Sequence, residues 1–227
     1  MIHHISGVHK IYDTVFMDFD GTIADTCEGI LKAVNFMFSR IGMEKNDEKE
    51  LLLFIGPPVK QHLMEYYGFH EQQAIEAYAH FREYYLETGL YESRLFPGVE
   101  DAIKGIKALG KTLCVATSKP EIMARTLLEK FGLVPYFDGI FCAVLEKGIV
   151  SKTQVLQYGF ECLGGKPQSA VMVGDRYHDI HGAKAVGIDS IGVLYGYGHC
   201  NELTEAGSDY LVDTPDDLVR LLEGDGR

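Results

Sequence analysis

Six short apolar runs alternate with segments of helical periodicity along this chain, and this alternation restricts the fold more than any other feature. The runs are apolar throughout, which is typical of parallel strands that are covered on both faces. They are TVFMDF (14–19), KTLCVATS (111–118), DGIFCAV (138–144), AVMVGD (170–175), DSIGVLY (189–195) and DYLVD (209–213). Strands that alternate with helices predict an α/β fold with a doubly wound parallel sheet.

The predicted helices between these runs each end at a glycine. Glycine adopts the left-handed conformation that closes a helix without steric cost, so each of these positions marks a helix end. The segments are 99–109, 121–131, 151–163 and 179–186, followed by Gly110, Gly132, Gly164 and Gly187.

A long helical interval separates the first apolar run from the second. Apolar residues recur between Ile30 and Ile41 with the spacing of an amphipathic helix, and further helical patterns lie near 59–67 and 71–88. We expect these residues to form a small helical cap, 25–95, inserted after the first strand of an α/β core made of residues 1–24 and 96–227. Pro97 and Gly98 would form the hinge. The alternative is that these helices pack on the sheet as ordinary connections.

Composition narrows the classes of partner. The 227 residues are 46% hydrophobic and 24% charged, which is ordinary for a globular protein. The net charge of −12 argues against a nucleic-acid polymer as partner but permits a small phosphate ester bound by a local cation. No apolar run reaches the length of a membrane span, and the N-terminus does not resemble a signal peptide, so we expect a cytoplasmic protein without a membrane partner.

The five cysteines are scattered and form no CxxC pair. Free thiols in a reducing compartment are the expected state. The nine histidines lack a metal-ligand spacing such as HExxH, which argues against zinc.

Polar side chains follow several of the predicted strands, at the sheet edge where doubly wound folds bind ligands. Asp18 and Asp20 end the first strand, and Gly174-Asp175 ends the fourth, with Asp179 in the turn that follows. Thr117 ends the second strand, with Ser118 as an alternative donor. Lys152 begins a helix after Ser151, a potential N-cap. Lys147, which precedes the same helix, is the alternative lysine for this site.

Converging carboxylates repel one another unless a cation lies between them, and an oxygen-only ligand set favours Mg²⁺. Asp18 could then stay ionised and attack phosphorus, while Asp20 protonates the leaving oxygen and later deprotonates the attacking water. Gly21 would permit close approach to the phosphoryl group, beside Thr22 in the same turn. Thr117 and Lys152 would offer the phosphoryl oxygens a hydroxyl and a positive charge.

The residues DFDGT, Thr117, Lys152 and GDRYHD (174–179) resemble, in order, the four motifs of the haloacid dehalogenase superfamily. The resemblance implies that Asp18 is nucleophile and metal ligand and that Asp20 is general acid and base, with its backbone carbonyl on the metal. It further implies that Thr117 and Lys152 bind the phosphoryl group, that Asp175 binds Mg²⁺, and that Gly174 and Asp179 support it.

Within that superfamily the chain resembles the phosphoglycolate phosphatase group and its bacterial 5′-nucleotidase-like branch. The resemblance is carried by FIGPPVK (54–60) and by GDRYHDIHGAKAVGIDSIGVLYGYG (174–198). One departure is Phe19, where leucine is commoner. The expected partner is a small phosphorylated metabolite, such as phosphoglycolate or a nucleoside 5′-monophosphate. In the cap, the segment from Gly56 to Lys60 either faces substrate or only precedes a helix.

Four other functions share part of this pattern. A haloacid dehalogenase needs no acid at position 20, so Asp20 argues against it. A phosphosugar mutase of the same fold stays open, since the sequence does not define the cap contacts that it would need. From a different class, a receiver-like phosphoacceptor would be shorter and without a cap. A non-catalytic protein of this fold would have no use for Asp20.

Overall fold

A sheet of seven strands organises the larger part of the chain. The computed structural model describes residues 2–4, 10–43 and 47–224. The strands are β1 (Ile2–His4), β2 (Thr14–Met17), β3 (Ala24–Asp25), β4 (Arg94–Leu95), β5 (Thr112–Pro120), β6 (Gly139–Ala143), β7 (Ala170–Gly174), β8 (Asp189–Val193) and β9 (Tyr210–Val212). In the sheet they follow the order β1-β9-β8-β7-β2-β5-β6, and β3 pairs separately with β4.

Helices connect these strands. They are α1 (Cys27–Arg40), α2 (Glu48–Leu52), α3 (Val59–Tyr66), α4 (Glu71–Glu87), α5 (Val99–Ala108), α6 (Glu121–Lys130), α7 (Lys152–Cys162), α8 (Tyr177–Val186), α9 (Cys200–Ala206) and α10 (Pro215–Glu223). Three single turns of 3₁₀ helix lie at Gly89–Tyr91, Val134–Tyr136 and Leu145–Lys147.

The predicted fold class is confirmed. All six apolar runs form strands, and these six run parallel, whereas β1 joins the edge antiparallel to β9. The central strand β2 is buried along its whole length, as its unbroken apolar sequence predicts. Five of the six strands are one or two residues shorter than their apolar runs, whereas β5 extends two residues further, to Pro120.

The predicted glycine helix ends are also confirmed. Gly110, Gly132, Gly164 and Gly187 all have positive φ angles, between 67° and 83°. Three helices and three strands were not predicted: α2, α9, α10, β1, β3 and β4. The helix α10 has a recognisable start, since the Thr214 hydroxyl accepts a hydrogen bond from Asp217 N and Pro215 follows directly. The helix α9 is short and mostly polar, so its periodicity is weak.

The chain divides into two units. The first contains Met1–Ala24 and Leu95–Arg227, and the second contains Asp25–Arg94. The strands β3 and β4 lie where the chain passes from one unit to the other. That the second unit acts as a cap stays a prediction.

The second unit has its own aromatic core. The rings of Phe38, Phe54 and Tyr67 pack against one another with centroids 5.3 to 5.8 Å apart. Phe81 and Tyr85 of α4 are buried as well, as their helical spacing predicts, whereas Tyr66 is exposed. Across the described residues, no helix combines the length and the apolar character that crossing a membrane requires.

Candidate active site

Asp18 lies at the carboxyl end of the central strand. Met17 pairs in register with Val115 of β5 and Val173 of β7, so the residues that follow these three positions meet at one sheet edge. The backbone N–H of Asp18 donates to the carbonyl of Val173 at 2.9 Å, which fixes the start of the loop. The Asp18 side chain is buried. The structure therefore holds this carboxylate where strand alternation had predicted a ligand site.

Lys152 reaches the same edge from the first turn of α7. Ser151 is the N-cap: its hydroxyl accepts from Gln154 N at 3.3 Å, and the Gln154 side chain accepts from Ser151 N at 3.0 Å. This capping box sets the first residue of the helix at position 152, and the buried ammonium donates to the carbonyl of Ala116 at 2.8 Å. Lys147, the rival residue, is exposed and lies over the ring of Tyr158.

The Lys152 ammonium lies between two carboxylates. Its Nζ is 2.7 Å from Asp18 Oδ1 and 2.8 Å from Asp179 Oδ1. Each of these two oxygens is therefore ion-paired with the same ammonium group. Burial opposes the charge of Lys152, but the two carboxylates outweigh it and raise the pKa of this lysine. The lysine is therefore a permanent cation of the site.

Asp175 follows β7 and is completely buried. Its carboxylate accepts hydrogen bonds from the backbone N–H of Tyr197, at 2.8 Å, and from the hydroxyl of Thr22, at 3.4 Å. No cation pairs with it among the described residues. Burial, together with the charges of Asp179 and Asp18, raises its pKa well above the ordinary value of 3.8.

Asp179 lies in the first turn of α8, which begins two residues before the predicted helix 179–186. Its Oδ2 accepts from the backbone N–H of Arg176 at 3.1 Å, the usual contact of an acidic residue at a helix start. The Arg176 side chain points to Glu202 instead, with Nε 2.8 Å from its carboxylate. This arginine is thereby neutralised outside the acidic cluster.

Asp18, Asp175 and Asp179 form the one group of potential metal ligands in the described chain, with one oxygen from each within 4.8 Å of the others. Burial raises the pKa of Asp18, and the repulsion from Asp179 adds to this, although Lys152 and Thr117 act in the opposite direction. Burial therefore disfavours the ionised forms of Asp18 and Asp175. A bound cation would favour the ionised form of both carboxylates.

The residues present fit Mg²⁺. With Asp20 the site holds four carboxylates, and the ammonium groups of Lys119 and Lys152 balance two of them. A divalent cation would balance the remaining two charges. The available donors are all oxygens, which hard cations prefer. Asp175 of the same cluster pairs with no cation among the described residues, and a bound ion would supply one. Asp20 does not contribute its carboxylate to the cluster.

Two loops fold tightly around Asp175, and glycines make this possible. Gly21 has φ of 80°, and a Cβ atom at this position would overlap the Asp175 carboxylate. A Cβ atom on Gly198 would overlap the backbone carbonyl of Asp175. The loop Tyr195–Gly198 thus wraps the metal-ligand candidate and gives it a backbone donor. The missing Cβ atom of Gly21 makes room for the Asp175 carboxylate. The sequence had predicted that it makes room for a phosphoryl group.

Asp20 pairs with a lysine that the sequence analysis did not identify. Lys119 Nζ lies 2.9 Å from Asp20 Oδ1, and both side chains are largely buried. The available signal was periodicity: Thr117 and Lys119 are two apart on a strand, so they share a face. Thr117 is buried and hydrogen-bonds Asp18, whereas Ser118 between them is half-buried. The structure therefore favours Thr117 over Ser118 as the strand-end donor.

The remaining predicted residues occupy supporting positions. The hydroxyl of Thr22 is fully buried and directed at Asp175, so it contacts the metal-ligand candidate. Gly174 lies so close to Asp179 that a Cβ atom there would overlap the Asp179 side chain. The segment Gly56–Lys60 is half-buried in the second unit and leads into α3.

Comparison with known proteins gives consistent matches over most of the chain. Residues 15–193 match the family described as haloacid dehalogenase-like hydrolase. A 5′-nucleotidase of Pseudomonas aeruginosa is 38% identical over 192 residues, covering 85% of this chain and 87% of the relative. A phosphoglycolate phosphatase of Agrobacterium fabrum is 31% identical and covers 79% of each chain.

A protein named tyrosine-protein kinase PtkA, from Mycobacterium tuberculosis, is 35% identical over 82% of this chain, but the match spans only 64% of that relative. Among solved structures, a predicted phosphatase from Clostridium acetobutylicum superposes with a TM-score of 0.89 at 38% identity. That match covers 93% of this chain and 98% of the other.

Proposed function

Because the chain belongs to the haloacid dehalogenase-like hydrolase family, we propose that it is a Mg²⁺-dependent phosphatase that hydrolyses small phosphate monoesters through a phosphorylated Asp18. One observation carries the proposal: the Asp18 carboxylate lies at a strand end, 2.7 Å from Lys152, with its oxygen in a cluster with Asp175 and Asp179. A carboxylate beside a cation and a metal site is a suitable nucleophile for a phosphoryl group.

In the first step, an Asp18 oxygen attacks phosphorus in line with the ester oxygen. The new bond joins that carboxylate oxygen to phosphorus, and the bond from phosphorus to the ester oxygen breaks. Asp20, protonated at this stage, gives its proton to the departing oxygen, so that the alcohol leaves neutral. The products of this step are the free alcohol and an aspartyl phosphate.

In the second step, water attacks the same phosphorus, and Asp20 accepts its proton. The bond between Asp18 and phosphorus breaks, which releases inorganic phosphate and restores the Asp18 carboxylate. Asp20 thus returns to its protonated form and the cycle closes.

Asp18, Asp175 and the backbone carbonyl of Asp20 would hold the Mg²⁺ ion, with Asp179 supporting them. When bound, the ion would neutralise the carboxylates and withdraw charge from the phosphoryl oxygens. Lys152 and the Thr117 hydroxyl would contact the same phosphoryl oxygens as charge develops on them. Each of these groups is already buried and fixed, so little reorganisation is needed during the reaction.

The proposed substrates are phosphoglycolate and nucleoside 5′-monophosphates. Support comes from the relatives that carry these two activities in their names. We further propose that the helical unit Asp25–Arg94 selects among substrates as a cap. A phosphosugar mutase activity of the same fold is the alternative, and it would appear as isomerised sugar phosphate without release of inorganic phosphate.

Hydrolysis of p-nitrophenyl phosphate tests the proposed reaction. We expect turnover with Mg²⁺, loss of turnover with EDTA, and loss again in Asp18→Asn and Asp20→Asn. Arg220→Gln is a control, because the Arg220 side chain is exposed on α10, where it pairs with Asp216 and Asp217 of the same helix. Activity that survives EDTA or Asp18→Asn would refute the mechanism.

A panel of phosphate esters then tests the substrate. It should contain phosphoglycolate, nucleoside 5′-monophosphates, sugar phosphates and pyrophosphate, with ATP and a tyrosine peptide to detect kinase-like transfer. We expect one of the first two classes to exceed the others by about tenfold or more in kcat/KM, a difference of about 1.4 kcal/mol in transition-state binding. Uniformly low activity across the panel would reject both proposed substrates.

A further inference from the structure

Lys119 is a buried cation near the proposed general acid, and it belongs to none of the motifs discussed above. Its Nζ lies 2.9 Å from Asp20 Oδ1 and 3.2 Å from Asp20 Oδ2, so one ammonium contacts both oxygens of the carboxylate. The Lys119 side chain is 3% exposed and that of Asp20 is 13% exposed. Water therefore screens this pair weakly.

The strand β5 brings Lys119 to this place. It continues to Pro120, past the point where its regular pairing with β6 is interrupted between Thr117 and Pro120. The backbone N–H of Lys119 donates to the Thr117 hydroxyl at 3.2 Å, and its Nζ lies 5.8 Å from the centre of the Phe19 ring. The backbone and the ammonium group of Lys119 thus both contact residues of the site.

The contacts of the two chain segments match residue by residue. Thr117 and Lys119 are two apart on β5, and they contact Asp18 and Asp20, which are two apart in the loop after β2. Thr117 therefore contacts the candidate nucleophile, and Lys119 contacts the candidate general acid. Contact of both Asp20 oxygens with a fixed ammonium restricts the rotation of the Asp20 side chain. A general acid needs a fixed orientation of this kind to deliver its proton.

We propose that Lys119 is a positioning residue for Asp20, which it holds in the orientation that serves proton transfer to the leaving oxygen. The inference rests on the proposed function, because it assigns a role within that reaction. The competing role for a buried lysine here is direct recognition of an anionic group on the substrate, and the experiment below separates the two.

The dependence of kcat on the leaving group reports the contribution of Asp20. Esters of acidic phenols leave without a proton, whereas alkyl phosphates need one, so loss of acid catalysis slows only the latter. The test compares Lys119→Met, Lys119→Arg, Asp20→Asn and the double variant Lys119→Met with Asp20→Asn on a series from dinitrophenyl to alkyl phosphates. Lys104→Met is the control, because Lys104 pairs with Glu100 on an exposed helix face.

If Lys119 positions Asp20, Lys119→Met lowers kcat for alkyl phosphates by about 10- to 100-fold and leaves dinitrophenyl phosphate nearly unchanged, with KM within about twofold. Lys119→Arg recovers part of the loss. The double variant is no slower than Asp20→Asn alone, since a residue that acts through Asp20 has nothing left to lose. Melting curves of each variant verify folding, and Lys119→Gln replaces Lys119→Met if the latter does not fold.

Two results would overturn the inference. One is a rise in KM of similar size for every ester with an unchanged leaving-group dependence, which indicates substrate recognition. The other is a double variant that is slower than Asp20→Asn, which indicates a role independent of Asp20. Failure of the proposed function itself is a different result: wild-type protein without phosphatase activity, or activity retained in Asp18→Asn.

Discussion

The Lys152 ammonium lies 2.7 Å from Asp18 Oδ1, and both side chains are more than 90% buried. A buried ion pair of this kind is weak evidence for stability, because the cost of removing both charges from water offsets their attraction. Asp179, 2.8 Å from the same ammonium, adds a second negative charge, and Asp175 adds a third without a cation of its own. The arrangement is unfavourable for the protein alone and suited to a bound cation, which is typical of a functional site.

Replacement of Asp175 by asparagine should stabilise the metal-free protein. The change removes a buried charge that repels Asp18 and Asp179, and asparagine can keep both hydrogen bonds if the Thr22 hydroxyl accepts instead of donates. We expect the free energy of unfolding to rise by about 1 kcal/mol, or about 2–4 °C in melting temperature. Melting curves with and without Mg²⁺ measure this, and the Mg²⁺-induced shift should vanish. A destabilised variant that still responds to Mg²⁺ would contradict the assignment of Asp175.

Stabilisation by Mg²⁺ should increase with pH. In the folded, metal-free protein the raised pKa of Asp175 keeps a proton on this group at pH values where the unfolded chain, with a pKa near 3.8, has lost it. Stability without metal therefore falls as pH rises from 3.8 through the raised pKa. Mg²⁺ replaces that proton, so the difference in melting temperature with and without Mg²⁺ should grow as pH rises from 3.8 through the raised pKa of Asp175. A difference that is constant or shrinks would count against a metal site at these acids.

The variant Gly198→Ala should lose both stability and metal binding, because its Cβ atom would overlap the Asp175 carbonyl. Gly132→Ala is the matched control: its φ is 67°, and nothing lies within 4 Å of the added atom. We expect the control to cost about 1 kcal/mol through backbone strain alone and Gly198→Ala to cost about 2 kcal/mol or more. Chemical denaturation measures the free energy of unfolding of both variants. An equal loss of stability in the two variants would show that the loop around Asp175 can shift to accommodate the added methyl group.

The five thiols should react in a defined order. Burial raises the pKa of Cys114 and of Cys142 to about 12, which suppresses the reactive thiolate, whereas Cys162 and Cys200 are exposed. Titration with Ellman's reagent should modify Cys162 and Cys200 first, Cys27 more slowly, and the two buried thiols only after unfolding. Rapid modification of Cys114 or Cys142 in the native protein would show that the sheet opens more readily than this structure implies.

The motif residues could be recognised from the sequence, because their chemistry depends on residue type and on position at a strand end. Asp18, Thr117 and Asp175 could be placed at one edge from the ends of the apolar runs, and Lys152 from the helix start after Ser151. The partners of these residues were harder to predict. The donor from Tyr197 to Asp175 is a backbone N–H, which no side-chain pattern records, and Lys119 lies in TSKP, where a lysine after a strand is more often a solvated residue.

The cap prediction shows a different limit. Helical periodicity identified α1, α3 and α4, but the association of an inserted unit with the core depends on side-chain contacts that periodicity does not encode. The role of Gly56–Lys60 and the choice between phosphoglycolate and a nucleotide depend on that association. These remain predictions for the substrate panel to decide.

The most direct test of the central claim is to trap the phosphorylated residue. Wild-type protein is mixed with Mg²⁺ and p-nitrophenyl phosphate, quenched in acid, and treated with borohydride, which reduces an aspartyl phosphate to homoserine. Peptide mass spectrometry then locates the change. The account predicts homoserine at position 18, dependent on substrate and absent in Asp18→Asn. Homoserine at another aspartate, or turnover by wild-type protein without any reduction at position 18, would contradict it.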